Sequence, residues 1–245
     1  MSRSDEHPRG FAYHAQALGF SASLYRPCCE NIPGQAAVSL SQTGGETYSV
    51  VRNFDWKGIF RFEEAASYVS GSFDHGSFNT LATVTVRGLN IANMITADQI
   101  IARVSSRHDY DATSGEVGEG VITLDGSSFQ NLRVAGRQIA VKVNARPSAQ
   151  MNFAALTGFV EESGGKSLQR PPAASCSIAA IADAEDLDHH NGTIEIPEFG
   201  TIYLANVIFK PGYRRISMLR AELGCPIGGT VETGGGEGNG SGIWQ

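Results

Sequence analysis

Asp183, Glu185, Asp186, Asp188, His189 and His190 form the densest group of metal-ligating and acid–base side chains in the chain, with Asn191 and Gly192 directly after. Carboxylates on a flexible loop suit hard cations such as calcium, while adjacent imidazoles suit a transition metal. The spacing is not that of an EF-hand, and the Asp-His-His run matches a phosphoesterase signature that belongs on an α/β scaffold. Asp186, Asp188, His189 and His190 are therefore the candidate ligands of a metal-dependent hydrolase. The competing reading is a polar loop joining two strands, because Asp, Asn and Gly favour turns. Three-ligand zinc sites rarely draw every ligand from one five-residue loop, so no tight transition-metal site is expected and no cofactor is assigned.

Two further Asp–His neighbours occur, at His108, Asp109, Tyr110 and Asp111 and at Asp74 and His75. An Asp can orient an imidazole for general-base work, but a nucleophile and an oxyanion donor must come from elsewhere. No G-x-S-x-G elbow supplies them. Cys28, Cys29, Cys176 and Cys225 form no C-x-x-C pair. The vicinal pair is not expected to bond internally, and a Cys176–Cys225 bridge is left open. The glycine-rich stretch 228–240 lacks the Lys and the following helix that a phosphate-binding loop needs.

Aromatics crowd one region, with Tyr48, Phe54, Trp56, Phe60, Phe62 and Tyr68 close in sequence. Aromatic faces stack on sugar rings, and Trp56, in the turn-like DWKG, is the candidate exposed platform for a carbohydrate or other small ligand. Core packing accounts for most of the group. The net charge of -6, with no basic run longer than Arg214 and Arg215, argues against nucleic acid as a partner. No stretch approaches the ~20 apolar residues that cross a bilayer as a helix. Residues 1–10 are polar and carry no conventional export signal.

The elements that must position these groups are strands. Of 245 residues 29 are Gly and only 18% are charged, which excludes coiled coils and charged disordered tails. Apolar residues alternate with period two over 12–25, 48–54, 65–73, 81–86 and 97–105, and again over 120–124, 129–134, 138–143, 175–182, 193–196, 201–209, 216–223 and 230–232. Gly44 and Gly45 predict a tight hairpin joining 38–40 to 48–54. The segments between 120 and 143 predict a meander. Helical spacing of Met151, Ala154, Ala155, Leu156, Phe159 and Val160 predicts one accessory helix over 148–162, with Ser148 as its N-cap. The expected fold is all-β, an antiparallel β-sandwich or stacked sheets with that helix. It comprises a polar segment 1–10, a single β-rich domain 11–233 and a flexible Gly-rich tail 234–245.

The segments FAYHAQALGFSASL, ATVTVRGLNIANMITADQIIARV, GSSFQNLRVAGRQIAVKV and IEIPEFGTIYLANVIF, the last followed by RRISMLRAEL, resemble the choice-of-anchor P family of bacterial β-rich proteins. The resemblance implies an all-β fold and an extracellular or cell-surface habitat. It brings no catalytic residues. The expected function is a non-catalytic structural or interaction module. The strand 201–209, TIYLANVIF, carries no charge, and as an edge it would template self-association. The alternatives are a carbohydrate or small-ligand module built on Trp56 and the metal-dependent hydrolase above.

Overall fold

The computed structural model describes residues 11–118, 120–144, 166–169, 172–182, 187–210 and 212–242. In chain order the strands are β1 (Phe11–Arg26), β2 (Glu30–Gln35), β3 (Val38–Ser39), β4 (Gly45–Trp56), β5 (Phe60–Asp74), β6 (Ser77–Ile91) and β7 (Ile95–Asp111). Short strands follow: β8 (Glu116–Val117), β9 (Val121–Thr123), β10 (Ser128–Gln130), β11 (Arg133–Val134), β12 (Arg137–Gln138), β13 (Ala140–Val143), β14 (Lys166–Gln169), β15 (Pro172–Ser177), β16 (Ala179–Ala182), β17 (Asp188–His190) and β18 (Thr193–Ile196). Three long strands end the chain, β19 (Gly200–Lys210), β20 (Tyr213–Leu223) and β21 (Gly228–Gly242). No helix occurs among the described residues, and therefore none that is long and apolar enough to cross a membrane. The helix expected over 148–162 lies outside the described residues.

Two antiparallel sheets stack on each other. The first runs β14-β15-β19-β20-β21-β1-β2, with β18 also on β19 and β3 also on β1. The second runs β12-β11-β7-β6-β5-β4, with β8, β9 and β10 also on β7. A small pair, β13 and β16, stands apart from both. Alternation puts Ala65, Val69, Ala82, Val84, Ala102 and Val104 of the second sheet inward, against Ala15, Ala17, Leu204, Val207 and Ile216 of the first, all of them buried. Aromatic clusters fill both ends of the core. Phe20 contacts Phe54, Phe60 and Phe62 at one end, and Phe11 stacks on Phe78 at 4.1 Å at the other.

Each sheet is kinked along one row of residues. In the second sheet Asn53, Glu63, Gly88 and Asp98 drop out of the paired register at the same level of β4 to β7. In the first, Gly19, Gly234, Met218 and Ala205 do so across β1, β21, β20 and β19. Alternate strands carry a left-handed residue there: Asn53 (φ 52°), Gly88 (φ 61°), Gly234 (φ 66°) and Ala205 (φ 44°). The extra residue reverses which parity faces inward, so the buried series steps by three instead of two at Ala17 to Phe20, Phe62 to Ala65, Val86 to Leu89 and Ala97 to Ile100. The two rows face each other. A Cβ on Gly19 would stand 2.9 Å from the Ala65 Cβ, and one on Gly234 would stand 3.2 Å from Ile100 Cγ2.

Four expectations are corrected. The glycine-rich segment, read as a flexible tail from 234, is the strand β21, paired with β20 on one side and β1 on the other through Gly242. A Cβ on Gly236 or Gly238 would point at Val104, so bare backbone lets the second sheet close in, and the contacts offset glycine's high ordering entropy. The uncharged strand 201–209 is central, between β15 or β18 and β20, so the edge argument fails for it. Gly44 and Gly45 do turn the chain with positive φ, but they step it between sheets: β3 pairs with β1, and β4 with β5. A Cβ on Gly44 would meet the Gly71 carbonyl at 2.8 Å and the Tyr13 ring at 3.0 Å. The segments between 120 and 143 form no meander, since β9, β10 and β11 each pair in succession with β7.

Candidate ligand-binding face

Of the residues expected to hold a metal, the three described ones, Asp188, His189 and His190, do not converge. Asp188, His189 and His190 form β17, which pairs with β18 through a tight turn at Asn191 and Gly192, both with positive φ. Successive side chains of a strand leave by opposite faces, so His189 points away from Asp188 and His190, and all three are exposed. Asp188 stands opposite Glu195, and His190 Nε2 is engaged by the Asn191 amide at 2.8 Å. Asp186 lies outside the described residues. Among the described residues no group of three or more His, Cys, Asp and Glu side chains comes together as a metal site.

The other candidates are occupied too. Asp74 and His75 form an exposed pair at 2.8 Å on the β5–β6 turn. His108 is buried, with Nδ1 3.2 Å from the Gly118 carbonyl and Nε2 without a partner among the described residues. Burial pushes its pKa down, while the Gly118 carbonyl and Asp109 pull the other way. Asp109 accepts from Ser77 Oγ at 2.7 Å and Arg107 Nε at 3.0 Å, which hold its carboxyl below the usual range. Trp56 is not an open platform. Its ring stacks on Phe60 at 5.4 Å, and the Lys57 ammonium, itself paired with Glu30, stands 4.6 Å from its centroid. Cys28, Cys29, Cys176 and Cys225 are all free thiols, so the bridge left open between Cys176 and Cys225 is not formed.

Open depressions lie on the outer side of each sheet. On the outer side of the first sheet a trough of about 390 Å³ is floored by Gly235 and Gly236. Its charges satisfy one another. Glu237 lies 3.0 Å from His14 Nε2 and accepts from the Tyr213 hydroxyl at 2.6 Å, and Arg215 donates to both oxygens of Glu232 at 3.1 and 3.2 Å. His14 and Tyr213 hold Glu237 below the usual carboxylate range against its burial. Burial and Glu237 push the Tyr213 hydroxyl up.

The outer side of the second sheet is different. A groove of about 670 Å³ there is lined by Ser70, Ser72, Asn79, Ser105, Thr123 and the two arginines Arg103 and Arg107. Register places side chains in rows across the strands. One row is Tyr48, Tyr68, Thr83 and Arg103, and the next is Glu46, Ser70, Leu81, Ser105 and Thr123. Three of the four exposed large apolar side chains are on this side: Tyr48 (75%), Val121 (50%) and Val50 (38%). Arg52, Arg61, Arg87, Arg103, Arg107 and Arg133 project from it. Arg52 and Arg87 share Glu64, at 2.8 and 3.0 Å, and Arg107 is held by Asp109. The Arg103 guanidinium has no partner among the described residues; its stem runs beside Gly126.

Core packing, expected for most of this aromatic group, holds for Phe60 and Phe62, whereas Tyr48 is exposed and Tyr68 half-buried on the outer face. Parity carries the signal: in TYSVVR, Tyr48 shares a face with Glu46, Val50 and Arg52. The model of the family described as Domain of unknown function (DUF8256) matches residues 11–170, a span of about two thirds of the chain that contains the whole second sheet and its outer face. No curated protein and no solved structure shows significant similarity. The chain therefore belongs to the DUF8256 family.

Proposed function

We propose that the protein is a non-catalytic recognition module that binds an acidic polysaccharide across the outer face of its second sheet. The observation that carries this reading is the row Tyr48, Tyr68, Thr83 and Arg103, which ends beside the groove in an arginine that no carboxylate engages among the described residues. Neighbouring strands lie ~4.8 Å apart, so the row is about 14 Å long, the reach of a short oligosaccharide. Tyrosine faces suit the apolar side of a sugar ring, and the hydroxyl and amide groups of Ser70, Ser72, Asn79 and Ser105 suit its hydroxyls. A guanidinium donates two parallel hydrogen bonds to a uronate carboxylate or a sulfate. The sequence resemblance to an extracellular bacterial family supports a setting in which such polymers are met. Asp74 and His75 pair on an exposed turn, and Asp109 is engaged by Arg107 and Ser77 while His108 Nδ1 meets the Gly118 carbonyl, which supports a module without catalysis.

Affinity electrophoresis in gels containing polygalacturonate, alginate, dextran or xylan tests the reading. The two acidic polymers are expected to retard the protein, the neutral ones to do so weakly, and Arg103→Ala to abolish retardation while Trp56→Ala leaves it unchanged. Equal mobility in all gels, or retardation that survives Arg103→Ala, refutes it.

A further inference from the structure

The second sheet ends at β4, whose far side meets no strand among the described residues. Long edge strands are normally blunted by Lys, Pro, a bulge or shortness, because their free N–H and C=O groups template pairing with another chain. β4 has 12 residues, and over 45–52 it contains neither Lys nor Pro. Its kink comes only at Asn53. Eight regular residues, Gly45 to Arg52, thus present an open edge with two charges, Glu46 and Arg52.

These residues are self-complementary. In an antiparallel pair, residues directly opposite share a face, so two copies of β4 meet only in registers that set even positions against even and odd against odd. A two-fold axis through Ser49 sets Glu46 opposite the second copy's Arg52, Tyr48 opposite its Val50 and Thr47 opposite its Val51. Opposite charges and aromatic–β-branched pairs are the favourable cross-strand combinations, and the symmetry makes each of them twice. Moving the axis to Tyr48 or Val50 separates Glu46 from Arg52. The register is also bounded on both sides, by the Gly44–Gly45 turn and by the kink at Asn53. Both charges have capacity to spare: Glu46 accepts the Tyr68 hydroxyl through Oε2, and Arg52 reaches Glu64 through Nε alone.

We infer that the partner of the β4 edge is a second copy of this chain, joined in an antiparallel pair about Ser49 that fuses the two second sheets into one. The axis is perpendicular to the sheet, so both outer faces lie on the same side, and a repeating polymer can engage both copies together. Dimerisation does not depend on the proposed ligand and is read without it.

Sedimentation velocity over a hundredfold concentration range, with far-ultraviolet circular dichroism confirming the fold of each variant, provides the test. The wild type is expected to be a dimer that dissociates on dilution. Arg52→Glu, which sets two carboxylates against two carboxylates, is expected to weaken it at least about tenfold. The double variant Glu46→Arg with Arg52→Glu restores opposite charges in the same register and is expected to recover the dimer. Ser49→Cys, in a chain with Cys28, Cys29 and Cys225 changed to Ser, is expected to crosslink as a covalent dimer on mild oxidation, because opposite strand positions stand within disulfide reach. A monomer at every concentration, a dimer indifferent to Arg52→Glu, or a double variant no better than Arg52→Glu overturns the inference.

Discussion

Gly19 and Gly236 occupy interior strands of the same sheet, yet adding one methyl group at each has opposite expected effects. A Cβ on Gly19 would stand 2.9 Å from both the Ala65 Cβ and the Gln35 carbonyl, and 3.1 Å from the Ala36 Cβ. All three are backbone atoms or a Cβ fixed by the backbone, so no rotamer relieves the clash and the kinked rows of the two sheets must separate. Overpacking of this kind costs about 1–3 kcal/mol, and the reduced freedom of the unfolded chain returns about 0.4–1 kcal/mol. The net loss for Gly19→Ala is about 1–2 kcal/mol, which lowers Tm on the order of 5 °C in a chain of this size. At Gly236 a Cβ would find Val104 Cγ2 at 3.5 Å and Ile216 Cγ2 at 3.8 Å, ordinary contacts at a φ that is not left-handed. Gly236→Ala keeps the unfolded-state gain and raises stability by about 0.4–1 kcal/mol. Urea titration with a common m-value measures both. Equal stabilities for the two variants, or a destabilised Gly236→Ala, would refute the picture of sheets pressed together at Gly19 and merely touching at Gly236.

Burial depresses the pKa of His108, so its contribution to stability is complete above the unfolded-state value of ~6.5 and is lost as pH falls through the lower folded-state value. Urea midpoints are expected to fall from neutral to mildly acidic pH, and His108→Gln should flatten that slope; an unchanged slope would contradict the assignment. Cys176 is buried, with its thiol pushed up to about 11, whereas Cys28, Cys29 and Cys225 are exposed. A disulfide reagent should titrate those three thiols in the native protein and Cys176 only after denaturation, and four equally fast thiols would count against the fold around β15. Gly234 has φ 66° and would place a Cβ 3.0 Å from Met218 Cβ, so Gly234→Ala should lose about 1–2 kcal/mol, unlike its neighbour Gly236.

Period-two alternation was enough to read an all-β stacked fold, because one buried and one open face leave a plain pattern in β5, β6 and β7. It failed where the buried face carries no side chain. In β21 the inward positions Gly234, Gly236 and Gly238 are bare, and the alternation is of glycine against other residues, as in GEGNGSG, so a hydropathy pattern shows nothing there. The Asn191–Gly192 turn was legible as a hairpin signal, but the acidic residues before it drew attention to metal chemistry instead. Trp56 reads as exposed from its place in the turn-like DWKG, although only pairing reveals that Phe60 and Lys57 engage it. The Tyr48–Tyr68–Thr83–Arg103 row joins four strands through three registers, and no local window contains it. The open edge at β4 likewise depends on sheet order. TIYLANVIF has the composition of an exposed edge yet lies mid-sheet, because neutral strands are also what a sheet centre requires.

Titration calorimetry of oligogalacturonate into the wild type and into Arg103→Ala measures the central claim most directly. A charge-assisted hydrogen bond is worth about 1.5–3 kcal/mol, so Arg103→Ala is expected to weaken binding by roughly tenfold or more, and added salt to weaken the wild type alone. Equal affinity of the two proteins for the oligosaccharide, or equal affinity of the wild type for a neutral oligosaccharide of the same length, would contradict the account.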